Sequence, residues 1–318
     1  MTWLVTGGAG YIGAHVVRAL SQDGQDVTVL DDLSTGTRDR VADGVRFVEG
    51  SLLDPTALSE AMAGVTGVVH IAAKKQVGES VAEPLHYYRE NLDGLLTLLE
   101  ACRAGGVERF VFSSSAATYG MPDVDLVTED TTTVPLSPYG ETKLVGEWLL
   151  RDCATAFGLK VMALRYFNVA GAATPELGDP GVFNLIPLVF QALAKGERPR
   201  VFGDDYPTPD GTCIRDYVHV ADIADAHLAA ARALDDGADG ATYNIGRGQG
   251  SSVREVIDVI GRVTGLDVTV DVVDRRPGDP ARVVASVDRI RDGLGFTASH
   301  DLLQMVESAW AGWQLSHP

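Results

Sequence analysis

Short apolar runs alternate with amphipathic stretches through the first half of this chain. Residues 2–6, 26–31, 45–48, 68–71, 109–113 and 160–166 are runs rich in aliphatic, aromatic and β-branched residues and predict strands. Between them, 11–22, about 55–63, 84–104 and 137–157 carry helical periodicity, and the last opens on Ser137-Pro138, a helix start signal. Continuous apolar strands alternating with helices predict an α/β fold, a Rossmann-like doubly wound parallel sheet covered on both faces. After Asn168 the rhythm breaks. Residues 170–212 are rich in Gly, Pro and Asp and hold one clear helix, about 184–195. A strand near 242–245, helices near 252–264 and 300–315 and a strand near 268–273 complete the reading.

Composition changes this picture little. With 318 residues, 45% of them hydrophobic and 22% charged, the chain reads as an ordinary globular protein able to bury a large core. No apolar run approaches the roughly 18 residues that span a bilayer. The chain enters its first strand at Thr2 with no basic leader, so a cytoplasmic location is expected. Cys102, Cys153 and Cys213 are scattered, as are the seven histidines; free thiols and no metal are expected. His70, at the end of a strand, reads as a core residue. The net charge of −18 argues against nucleic acid or an anionic membrane as partner. It also means that a phosphorylated ligand needs local donors.

Two motifs carry chemistry. Gly7, Gly10 and Gly13 lie between a predicted strand and a predicted helix, where glycines let the backbone approach a pyrophosphate and the helix end supplies N–H groups. Asp31 and Asp32 follow about 18 residues on; a carboxylate there bonds the adenosine ribose and repels a 2′-phosphate, selecting NAD over NADP. At most one of the two is expected to cap the next segment instead. The second motif is Tyr139-Gly140-Glu141-Thr142-Lys143, which sets a phenol and an ammonium on one helical face. The ammonium and the positive charge of a nicotinamide are together expected to lower the phenol's pKa and make it a base. Ser113-Ser114-Ser115 ends a strand at the carboxyl edge of the sheet, placed to bond the phenol and a reacting hydroxyl. Together the motifs predict redox chemistry on an alcohol.

Over nearly the whole chain the sequence resembles the extended short-chain dehydrogenase/reductase family, in its nucleotide-sugar epimerase branch. The matching runs are TGGAGYIG at 6–13, AAKKQVGESV at 72–81, FSSSAATYG at 112–120, YGETK at 139–143, RYFNVAGA at 165–172, VFGDDYPTPDGTCIRDYVHV at 201–220 and RRPGD at 275–279. The resemblance implies that Tyr139 is the general base and acid, with Lys143 tuning it and Ser115 assisting. It implies an NAD site lined by Gly7, Gly10, Tyr11, Ile12, Gly13, Asp31, Asp32, Ser51, Leu52, Ala72, Lys75, Asn91, Ser113 and Phe167, together with Tyr139 and Lys143. A UDP-sugar would be held by Ser115, Tyr139, Asn168, Asn184, Leu185, Phe202, Arg215, Tyr217, Arg276, Asp279 and Val283, with Arg215 and Arg276 clamping the diphosphate. The implied reaction is epimerisation at sugar C4 by transient oxidation.

On this reading, residues 1–168 form the NAD-binding domain and 169–318 a smaller α/β substrate-binding lobe, with about 215–246 returning to the first. The helices at 84–104 and 137–157 are expected to pair in a homodimer. Four positions depart from the family pattern. Ser51 stands for the usual acid, Ala116-Ala117 for Ala-Thr, Ala285-Ser286 for Ala-Asp, and Val283 where members restricted to glucose and galactose carry tyrosine. Val283 predicts a pocket that also admits N-acetylated UDP-hexosamines. Three other readings compete with it: an epimerase for UDP-glucuronate or a pentose, a 4,6-dehydratase and a non-catalytic NAD-binding regulator. Ala116-Ala117 lacks the acid and base that a dehydratase needs, and a regulator has no use for the Tyr–Lys pair.

Overall fold

The structure, a computed structural model, describes residues 1–276 and 278–317. In chain order the strands are β1 (Thr2–Thr6), β2 (Asp26–Asp31), β3 (Arg46–Glu49), β4 (Gly67–His70), β5 (Arg109–Ser115), β6 (Lys160–Tyr166), β7 (Asn168–Ala170), β8 (Arg200–Phe202), β9 (Ile214–His219), β10 (Ala241–Ile245), β11 (Gly250–Ser252), β12 (Asp271–Val273) and β13 (Arg282–Val283). The α-helices are α1 (Tyr11–Gln22), α2 (Pro55–Ala61), α3 (Val77–Ala82), α4 (Pro84–Tyr88), α5 (Gly94–Gly105), α6 (Pro138–Phe157), α7 (Leu185–Ala194), α8 (Val220–Asp235), α9 (Val253–Thr264), α10 (Asp288–Leu294) and α11 (Leu302–Ser316).

Seven strands form one parallel sheet in the order β10-β6-β5-β4-β1-β2-β3. The order reverses between β1 and β4, the switch point at which doubly wound sheets bind ligands. Alternation along each strand feeds two cores. Trp3 and Val5 of β1 join Val16 and Leu20 of α1 and Ile223 and Leu234 of α8 on one face. Leu4 turns to the other, with Leu58, Leu98 and Leu150 of α2, α5 and α6. A third core lies apart from this sheet: Phe190 of α7, Ile257 of α9, and Met305 and Trp313 of α11 gather over Tyr217 of β9. There β9 pairs with β7, β11 and β13, and β8 pairs with β12.

Local chemistry starts several helices where the sequence signals them. Ser137 Oγ accepts from Gly140 N at 3.2 Å, with Pro138 in the first turn of α6. Ser252 with Glu255, and Asp301 with Gln304, form capping boxes at α9 and α11. Two readings are corrected. The stretch 84–104 is not one regular helix but α4 and α5 joined through a π-helical turn, Arg89–Asp93. The sequence pass also missed α8 outright. Its buried face is largely alanine (Ala224, Ala226, Ala230, Ala231), too weak a hydrophobic contrast to register as a stripe. The short elements α3, α10, β7, β8, β9, β11 and β13 were likewise unread; pairing partners, not propensity, make the strands among them.

Candidate active site

The glycine run joins β1 to α1 beside the switch point. Gly10 is the N-cap of α1 and no side chain caps the helix, which leaves first-turn N–H groups for an anion. A Cβ on Gly13 would fall on the Gly7 carbonyl oxygen, so only glycine allows this close approach. The turn therefore fits a dinucleotide pyrophosphate. Tyr11 is buried, and Ile12 packs at the edge of the core.

Asp31 is buried and accepts from Ala9 N and Leu33 N, both at 2.9 Å. Burial holds its carboxyl above the usual range despite these bonds. The exposed Asp32 accepts from Ser34 N. Both carboxylates thus brace the segment after β2, correcting the expectation that at most one would. The cause is the turn itself: Leu33 lies at φ 57, and Asx bonds hold such backbone. Asp31 keeps free lone pairs for a ribose hydroxyl.

The remaining residues expected at the cofactor flank this turn unevenly. Ala72 N donates to Thr6 O at 3.0 Å, and Lys75 Nζ lies 5.9 Å from the centre of the Tyr11 ring. Ser51 Oγ accepts from Leu53 N, while Leu52 is buried. Asn91, in the π-helical turn, is not a free ligand. Its Oδ1 accepts from Lys74 N at 2.8 Å, and its Nδ2 donates to Lys74 O and to Thr142 Oγ1, each at 3.0 Å. It fastens the loop after β4 to α6.

Tyr139 and Lys143 are 7% and 3% exposed on α6, and the Ser115 side chain is the group that favours the phenolate. Lys143 Nζ donates to Ser113 O at 2.8 Å and sits 6.0 Å from the centre of the Tyr139 ring. The three serines separate along β5. The Ser113 hydroxyl meets His227 Nε2 of α8 at 2.8 Å, so Ser113 offers the site only its carbonyl. Ser114 donates to Glu147 of α6, which also holds Arg165. Ser115 Oγ accepts from Ala117 N at 3.1 Å, and of the three serines it is the one that acts on the phenol.

Burial raises the Tyr139 pKa, and the Ser115 bond only partly offsets it. The same burial pushes Lys143 down to about 7, opposed by the charge of Glu147. Desolvation is the first cause of both shifts, because it opposes the charged form of each group. Glu147, Arg165 and His227 were missed by sequence reading. Glu147 follows Lys143 by one helical turn, a signal that was available.

A cleft brings together Tyr11, Asn168, Asn184, Leu185 and Tyr217. Asn184 is the N-cap of α7 and donates to Asp179 at 3.3 Å. Asn168 and Tyr217 are register partners in β7 and β9. Arg215 lies two residues before Tyr217, on the same face of β9. It is not a free clamp, because it pairs with Asp279 at 3.0 Å. The Arg276 guanidinium stacks 3.7 Å over the Phe202 ring. Val283 of β13 lies opposite Arg215 and is buried with Phe167, Tyr119 and Val127.

The model of the NAD dependent epimerase/dehydratase family matches residues 3–246. The chain is 46% identical to the UDP-glucose 4-epimerase of Azospirillum brasilense, over 98% of its own length and 92% of that protein's. It superposes on the crystal structure of UDP-glucose 4-epimerase from Brucella ovis in complex with NAD with a TM-score of 0.94, at 43% identity and 98% coverage of both chains. Against the enzyme from Bifidobacterium longum, in complex with NAD+ and UDP, the TM-score is 0.91 at 36% identity, covering 100% of this chain and 99% of that one.

Proposed function

This chain belongs to the NAD dependent epimerase/dehydratase family, and on that premise we propose that it interconverts UDP-glucose and UDP-galactose by inverting sugar C4. The observation that carries the reading is the Ser115–Tyr139–Lys143 set, its phenol and ammonium buried, at the carboxyl edge of the sheet beside an uncapped helix end that fits a dinucleotide. NAD, held by the glycine turn with Asp31, Ala72 and Lys75 around it, supplies a hydride acceptor and donor when bound.

The rest of the chemistry belongs to this chain. Tyr139 takes the proton of the C4 hydroxyl and later returns it. At rest the phenol is protonated and neutral, its pKa raised by burial. It becomes a base when positive charge enters the pocket and Lys143 holds its proton. The Ser113 carbonyl fixes Lys143, and Ser115 orients the phenol toward the substrate hydroxyl. Asn168, Asn184, Leu185 and Tyr217 line the substrate cleft; with Phe202, Arg276 and the Arg215–Asp279 pair they hold the nucleotide while the sugar turns over. Residues 1–168 then serve the cofactor and 169–318 the substrate, with 215–246 shared.

Purified protein incubated with UDP-galactose, without added cofactor, should yield UDP-glucose as the resolved isomer. Tyr139→Phe should lose at least about 100-fold in turnover and still retain NAD. Absence of any isomer interconversion by the wild type would sink the reading. Val283, small and buried beside Phe167, favours turnover of N-acetylated UDP-hexosamines as well. Exposed Leu96 and Trp148, on α5 and α6, support a homodimer through these helices. Sedimentation at the monomer mass would exclude it. Free Cys102, Cys153 and Cys213 support a reducing, cytoplasmic setting. No helix among the described residues is long and apolar enough to cross a membrane.

A further inference from the structure

The segment 171–173, whose Gly171 lines the cleft, is gripped by polar groups that the mechanism above does not use. From α1, the Tyr11 hydroxyl donates to Gly171 O at 2.5 Å, and His15 Nε2 accepts from Ala173 N at 3.0 Å. From α11, Ser308 Oγ accepts from Ala172 N at 3.2 Å. His219, the N-cap of α8, places its Nε2 3.0 Å from the same Ser308 oxygen. Gly171 is at φ +87, and a Cβ there would strike the His219 ring. The segment is therefore seated directly against the imidazole.

Each proton in this cluster has one place. A backbone N–H only donates, so Ala173 requires a bare Nε2 on His15. The proton of His15 is then on Nδ1, which donates to Tyr11 O at 2.8 Å. Ala221 N donates to His219 Nδ1 at 3.0 Å, so the His219 proton lies on Nε2 and points at Ser308. Ser308 passes its own proton to Gln304 O at 2.8 Å. Burial holds both imidazoles neutral, each pushed down to about 4. Three backbone groups of the segment are thus matched, Gly171 O and Ala173 N by α1 and Ala172 N by α11. Gly171 also lines the cleft. The helix that seats the dinucleotide at its first turn therefore carries, one turn later, the bond that sets the cleft wall.

We infer that His15 and Ser308 are positioning residues for the sugar nucleotide, locking 171–173 to α1 and α11 so that the cleft is preformed against the dinucleotide turn. The inference rests on the sugar-nucleotide reading of the cleft. It predicts that loosening the lock weakens ground-state binding more than it slows the chemical step.

The experiment is calorimetric titration of UDP into NAD-loaded wild type, His15→Phe, His15→Gln and Ser308→Ala, with steady-state kinetics on each. Loss of one matched bond at the wall should weaken UDP about threefold to tenfold. His15→Phe and Ser308→Ala should both show this, with KM rising by a larger factor than kcat falls. His15→Gln should recover most of the affinity, because its amide oxygen restores the acceptor for Ala173. A merely structural role would lower the melting temperature without that split or that rescue. UDP affinity within about twofold of wild type in Ser308→Ala, or a glutamine no better than phenylalanine at 15, overturns the inference. Should a His15 variant fail to fold, Ser308→Ala alone decides. Wild type that does not bind UDP would instead overturn the functional reading.

Discussion

Asp216 shows how much one side chain can organise without touching a ligand. It is completely buried, and its carboxylate accepts from Arg247 N at 2.8 Å, Gly248 N at 3.0 Å and Ala285 N at 3.2 Å. It ties the turn after β10, an edge of the large sheet, to the chain leaving β13. Burial pushes its pKa up to about 6 against those three bonds. Asp216→Asn must set an NH2 group against at least one N–H, so it should cost about 1–3 kcal/mol in denaturant unfolding. An unchanged midpoint would show that the turn relaxes freely. Val283 makes a prediction of a different kind. Val283→Tyr should abolish turnover of UDP-N-acetylgalactosamine while leaving UDP-galactose within about tenfold of wild type, since an aromatic ring at 283 fills space that only the larger sugar needs. Equal loss on both substrates would count against a size filter. At this scale the sequence is informative about residue type and poor about direction. Ser113, Ser114 and Ser115 look equivalent in the string, yet each faces a different partner.

Among the elements, the π-helical turn Arg89–Asp93 has the clearest consequence for the site. Such turns recur at functional positions, and this one faces Asn91 inward, where it pairs with both the N–H and the C=O of Lys74. Asn91→Ala leaves the Lys74 N–H and C=O without partners and Thr142 Oγ1 with only its bond to Tyr139 O. It should destabilise the fold by about 1–3 kcal/mol and speed NAD loss during gel filtration, read as the 260/280 nm absorbance ratio. Full NAD retention in Asn91→Ala would disconnect the loop after β4 from the cofactor. The helix read over 84–104 is real in outline, because its apolar face is periodic; the extra residue in its turn leaves no compositional trace. For α8 the failure is sharper. Alanine packs closely against the sheet, and close packing needs small residues, which are the ones that hydrophobic periodicity ranks lowest.

The molecule as a whole should be acid-sensitive for a traceable reason. Burial pushes His15, His219 and His227 down to about 4 and His70 to about 3. Their unfolded value is about 6.5. Depressed bases bind fewer protons folded than unfolded, so their stabilisation is whole above pH 6.5 and is lost as pH falls toward 4. Asp216, raised to about 6, and Asp31, Asp225 and Asp235, also raised by burial, work in the opposite sense, but the four imidazoles are displaced further from their unfolded value. The melting temperature should therefore fall steeply between pH 6.5 and 4, and His15→Gln should flatten the slope. A flat profile over that window would mean that these imidazoles are hydrated. Periodicity and two motifs were enough, by themselves, to place the strands of the parallel sheet and the helices on it other than α8, the glycine turn and the Tyr139–Lys143 pair, because these depend on neighbours within a few residues. Only the tertiary structure decided the direction of the Tyr139 and Lys143 shifts, the pairing of Arg215 with Asp279, and the grip of His15 and Ser308 on 171–173. Those depend on burial and on partners 64 to 158 residues away, where one-dimensional spacing carries no distance.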